Sequence, residues 1–173
     1  MDAVLHTGAG LLAANPATSM ATIAAAAGVD RRTLYRRFAT RDALVAAVFD
    51  AKLAAAEQVL DTARLMEAPV AVALHRYVEG AVLSVRLWPV ELAHSGDRTV
   101  EARRQAVRDR TAAFVDRAVG EGFFRADLSP EWIHALLDHT VDLAARRFPD
   151  LGAPQCADLV VKTLLTGLRG STA

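Results

Sequence analysis

Cysteine is almost absent: Cys156 stands alone in 173 residues. No internal disulfide can form, so a reducing, cytoplasmic setting is the default, and Cys156 reads as a small, partly buried side chain. Net charge is absent as well. Twenty Lys and Arg are cancelled by twenty Asp and Glu. That balance excludes a nucleic-acid binder working through bulk positive charge, but not one with a local basic patch. No Asp, Glu, Lys or Arg lies between Asp2 and Asp30. The stretch is nevertheless neither a signal peptide nor a membrane span. It begins with an acid, Asn15-Pro16 breaks it, and Gly8, Gly10, Thr18, Ser19 and Thr22 dilute an apolar run that would need about 20 residues to cross a bilayer. P-loop, GxGxxG, HExxH and GxSxG patterns are missing, as is a supported Cys–His pair. The expectation is no catalytic residue, no metal and no cofactor.

What is present is apolar and helical. Hydrophobic residues make up 53% of the chain, too many for disorder. A chain of this length can bury about 70% of its unfolded surface. Alanine, the best helix former, recurs throughout, and no run alternates in the manner of a strand. The predicted fold is all-α, with three short helices and the start of a long fourth within residues 1–46 and further helices over 47–173.

Caps and breakers place the helices. The first runs from Asp2 to Ala14 and stops at Asn15-Pro16. Ser19 caps a second, Met20 to Ala27, closed by Gly28; Asp30 caps a third, Arg31 to Phe38. Thr40 caps a long fourth helix from Arg41 towards Leu60. Only Gly28-Val29-Asp30 separates helices two and three, which is the layout of a helix-turn-helix. Later helices are expected from Pro69 to about Leu87, Arg98 to Val119 with Asp97 as cap, Ser129-Pro130 to Phe148, and Gln155 to Leu168. His94-Ser95-Gly96 reads as a loop, and Pro149, Gly152 and Pro154 as a turn.

The zero total charge hides an asymmetry. Residues 1–45 hold five basic and three acidic side chains, a net of +2, and residues 46–173 hold 15 and 17, a net of −2. All five N-terminal cations fall in RRTLYRRFATR, residues 31–41. At 100° per residue, Leu34 and Phe38 share one helix face and Arg32 and Arg36 the opposite one. Ile23, Ala24, Ala27 and Leu44 offer a core for the first face, which turns the second outward.

The segment Thr18 to Leu44, TSMATIAAAAGVDRRTLYRRFATRDAL, resembles the DNA-binding region of the TetR family of transcriptional regulators. Ile23-Ala24, Ala27-Gly28-Val29, Thr33-Leu34-Tyr35, Phe38, Arg41 and Ala43-Leu44 carry the likeness. It implies a homodimeric, ligand-responsive repressor of double-stranded operator DNA, palindromic where two protomers meet it. The recognition helix would be Arg31 to Arg37, with Arg32, Thr33 and Arg36 near base edges, Arg31 and Arg37 beside them, and Tyr35, Ser19 and Arg41 on phosphate. Three positions depart from the family. Arg32 stands where a small residue is common, Asp30 replaces a serine cap, and no basic arm precedes the first helix.

The resemblance also implies a four-helix dimer seam from the last two helices. Trp132, Leu136 and Leu143 on one, and Val160, Leu164, Gly167 and Leu168 on the other, are its candidates, with intrachain core as the alternative. A small-molecule pocket would lie among the central helices, with His75, Tyr77, Val78, Val82, Trp88, Phe114, His134 and Asp138 as candidates. His134, Asp138 and Asp142 share a face, but a hydrogen-bonded pair explains them better than a metal. Arg103, Arg104, Arg108 and Arg110 read as a solvated face. A helical interaction protein that has lost DNA binding remains the rival reading.

Overall fold

The computed structural model describes residues 2–91 and 98–166. Among them there are eight helices and no strand: α1 (Asp2–Ala14), α2 (Met20–Ala26), α3 (Arg31–Arg37), α4 (Arg41–Ala63), α5 (Val70–Leu87), α6 (Arg98–Gly120), α7 (Pro130–Arg147) and α8 (Ala153–Thr166). The all-helical expectation holds. The boundaries follow the caps: Ser19, Asp30 and Ser129 each accept a backbone N–H from the first turn they precede. Gly28 has φ +66°, the left-handed conformation that lets the chain leave α2 and enter the turn. Pro154, expected in a turn, instead lies in the first turn of α8, where its missing N–H costs nothing. The Asp97 cap and the His94-Ser95-Gly96 loop lie outside the described residues.

The chain packs as two units, residues 1–55 with 87–102, and residues 56–86 with 103–173. In the first, Val4, Leu5, Ala9 and Leu12 of α1 meet Met20, Ile23 and Ala24 of α2, Leu34 of α3, and Leu44 and Val48 of α4. Trp88 and Val90, which follow α5 in the chain, complete this core. The Trp88 ring meets His6 edge-on at 4.5 Å between centroids, and Lys52 Nζ donates to the Val90 carbonyl. The stretch after α5 is therefore a strap built into the N-terminal unit.

In the second unit, Leu60, Leu74, Val78, Val82, Phe114, Val115, Leu137 and Val141 form the centre of the core. Gly80 of α5 permits a close crossing with α4, since a Cβ there would come 3.0 Å from the Val59 side chain. Cationic side chains of α6 tie it to the C-terminal half of α4 and to the turn after it. Arg103 makes a two-pronged bond with Glu57, both contacts 2.8 Å, Arg110 reaches Asp61 at 2.7 Å, and Arg117 donates to the Leu65 carbonyl at 2.6 Å. The Arg103 bond holds the Glu57 carboxyl below its ordinary pKa. Two of the four arginines expected to form a merely solvated face thus fasten helices together. Arg86 does the same for the α7–α8 turn, donating to the carbonyls of Ala145, Phe148 and Leu151 and to the sulfur of buried Cys156.

Candidate nucleic-acid interface

The α2–α3 corner is held from within. Ser19 Oγ accepts from Thr22 N at 3.1 Å, Val29 N donates to Ala24 O at 3.0 Å, and Asp30 Oδ1 accepts from Arg32 N at 2.8 Å and Thr33 N at 3.3 Å. Those bonds satisfy helix-end groups that would otherwise stay unpaired. Leu34, 2% exposed, and Phe38 pin α3 to the core by one face. The remaining residues of α3, from Arg31 to Arg37, are exposed, and its sequence holds no acid.

The five arginines separate into two groups. Arg31 lies over the Tyr35 ring at 5.5 Å, and Arg37 over the Phe38 ring at 4.9 Å, distances at which cation and ring attract. Arg41 donates through Nε to the Thr18 carbonyl at 3.1 Å and through Nη2 to that of Pro16. It therefore ties the start of α4 to the loop before α2, beside Ser19. The Arg32 and Arg36 side chains have no hydrogen-bond, ion-pair or ring partner among the described residues. Tyr35 is 40% exposed. Thr33 and Arg37 border a hollow of about 260 Å³ shared with Ala3, Val4, Val29 and Leu34.

The candidate pocket residues do not all come together. Val78, Val82 and Phe114 are fully buried in the second core, and Tyr77 packs against it. The Tyr77 hydroxyl bonds Thr111, and burial pushes its pKa far above the ordinary phenol value, with the Asp138 charge adding to the effect. Asp138 is also raised, chiefly by burial, although neighbouring His134, His139 and Arg108 pull the other way; its side chain is still about half exposed, so it stands at a rim. His134 lies 3.8 Å from Asp138. His75 instead pairs with Asp158 of α8 at 2.9 Å. Trp88 belongs to the other unit and lines nothing here. Sequence reasoning missed Thr111, a buried polar residue whose hydroxyl also donates to Val107 O at 3.0 Å.

On α7, Trp132, Leu136 and Leu143 all face outward, Trp132 with 61% of its surface exposed. Val160 is a correction: it belongs to the chain's own core, because α8 packs through Ala153, Cys156, Ala157 and Val160, and Leu164 packs partly against the same core. Leu159 and Leu165 are the exposed apolar residues of α8. Gly167 and Leu168 lie outside the described residues. No group of His, Cys, Asp and Glu among the described residues is placed to hold a metal ion. None of the described helices is long and apolar enough to cross a membrane.

Residues 13–48 match the family described as bacterial regulatory proteins, tetR family. No curated protein matches the sequence. Among solved structures, the regulator PfmR from Thermus thermophilus is similar at 20% identity, with a TM-score of 0.78 over 97% of this chain and 96% of that one. The regulator LfrR from Mycobacterium smegmatis, solved with proflavine, is 23% identical with a TM-score of 0.75 over 97% and 95%. AibR, solved with isovaleryl coenzyme A and operator DNA, is 20% identical with a TM-score of 0.72 over 94% and 96%. The matched segment contains all of α2 and α3, so the arginine-bearing helix lies within the part of the chain that matches the family.

Proposed function

We infer that this chain, a member of the TetR family of bacterial regulators, is a cytoplasmic, ligand-responsive transcriptional regulator that acts as a homodimeric repressor and leaves its operator when a small molecule binds. The observation that carries the reading is an acid-free α3 pinned by Leu34 and Phe38, with Arg32 and Arg36 unpaired on the opposite face. A helix so anchored enters the major groove, while Tyr35, Ser19, Arg31, Arg37 and Arg41 surround it with groups suited to phosphate. Residues 1–46 do the DNA binding; residues 47–173 sense the ligand and dimerise.

Support for effector control comes from relatives of the same fold: LfrR is solved with proflavine, and AibR with an acyl coenzyme A and operator DNA. In this chain the effector site we favour gathers Tyr77, Thr111, His134 and Asp138 at the edge of the apolar core around Val78, Val82 and Phe114. A mostly apolar site with a few placed polar groups suits a small organic molecule. The dimer face we favour is Trp132, Leu136 and Leu143 with Leu159 and Leu165. A coupling of about 1–3 kcal/mol between the two sites changes DNA affinity about 5–150-fold.

The test is retardation of DNA from upstream of the protein's own coding sequence, at low salt, with native mass spectrometry of the purified protein for a retained small molecule. A shift that weakens when the copurified compound is added back is expected. Absence of any shift would favour the interaction protein without DNA binding.

A further inference from the structure

We propose that Arg32 and Arg36 form a two-pronged base reader that selects half-sites carrying two guanines within three consecutive base pairs; this rests on the DNA-binding reading above. The five arginines differ in their partners. Arg31 and Arg37 lie over Tyr35 and Phe38, and Arg41 is bonded to loop carbonyls. Arg32 and Arg36 alone in the run lack a side-chain partner. No acid lies three or four residues from either one, and the acid nearest Arg32 in sequence, Asp30, is engaged with the backbone at the start of α3. A solvated helix face ordinarily carries such acids as partners. Here both arginines are exposed on the face opposite Leu34.

Residues four apart on a helix are separated by about 6 Å along its axis, and bases along one strand by about 3.4 Å. Two side chains so spaced, on a helix lying in the groove, meet bases about two steps apart, and the length of arginine allows one step as well. A guanidinium carries donors only. Guanine offers two acceptors in the major groove, O6 and N7. Adenine sets an amino donor beside its single acceptor, cytosine presents a donor, and thymine has one acceptor next to a methyl group. Two arginines therefore call for two guanines, on either strand. Thr33, beside them, accepts any of several partners and adds less discrimination.

The experiment is selection of bound duplexes from a randomised pool by the full-length protein, followed by sequencing. The expected consensus has a guanine pair within three base pairs in each half-site. Arg32→Ala and Arg36→Ala should each erase the preference at one member of the pair, lowering affinity for the best site roughly 5- to 150-fold with little change on unrelated DNA. Arg32→Lys and Arg36→Lys keep the charge and remove the fork. They should relax the same positions while retaining non-specific binding. Retention of duplexes with no guanine pair, or variants that weaken all sequences equally, overturns this inference and leaves the regulator reading standing. If no duplex is retained at all, the regulator reading falls and the inference with it.

Discussion

Asp30 accepts two backbone N–H groups with one carboxylate oxygen, and its charge complements the positive end of α3. On the proposed DNA complex its cost is a negative charge near phosphate, which a serine at that position would avoid. In the proposed reading, the neighbouring side chains divide the work of recognition between affinity and sequence. Tyr35→Phe is expected to lower affinity about equally for all DNA sequences, since the hydroxyl addresses phosphate, whereas Arg36→Ala also changes preference. Fluorescence anisotropy on matched and mismatched duplexes separates the two. Tyr77 makes a stability prediction. Its folded pKa is raised above the unfolded value, so its contribution is complete below about pH 10 and is lost as pH rises through the folded value. Urea midpoints should fall above about pH 10, and Tyr77→Phe should flatten that fall.

At the scale of elements, local chemistry was readable in the sequence wherever one residue sets one boundary. Ser19, Gly28, Asp30 and Ser129-Pro130 each mark an end that the structure reproduces. Pro154 misled because proline both stops a helix and opens one, and only the packing of Ala153 and Cys156 decides which. Trp88 misled for a different reason. An apolar ring after a helix announces burial but not the core it enters, and the strap joins the N-terminal core through long-range contacts with His6 and Lys52. Trp88→Ala should therefore destabilise the N-terminal unit by about 3–5 kcal/mol, read by loss of amide protection in α1 and α4. The α4–α6 bonds were hidden as well, since Arg103 and Glu57 are far apart in sequence. Arg86→Met should leave three carbonyls near the α7–α8 turn without their donor. Faster hydrogen exchange at residues 148–152 and a lower melting temperature are the expected results.

For the whole molecule, a net charge of zero limits non-specific attraction to DNA, so affinity has to come from a local patch used twice. The proposed dimer supplies that. Two reading helices one helical turn apart meet half-sites about 34–36 Å from centre to centre. The exposed α7 residues Trp132, Leu136 and Leu143 are the face on which two copies meet in this account. Leu143→Glu should yield a monomer in sedimentation equilibrium, with operator affinity falling in step. The direct test of the central claim, that the arginine-bearing helix binds DNA as a pair, is the salt dependence of operator affinity. With Arg31, Arg37 and Arg41 of two protomers on phosphates, log K should fall linearly with log salt with a slope of about −5. An affinity that does not change with salt, or no binding at the lowest salt, would contradict it.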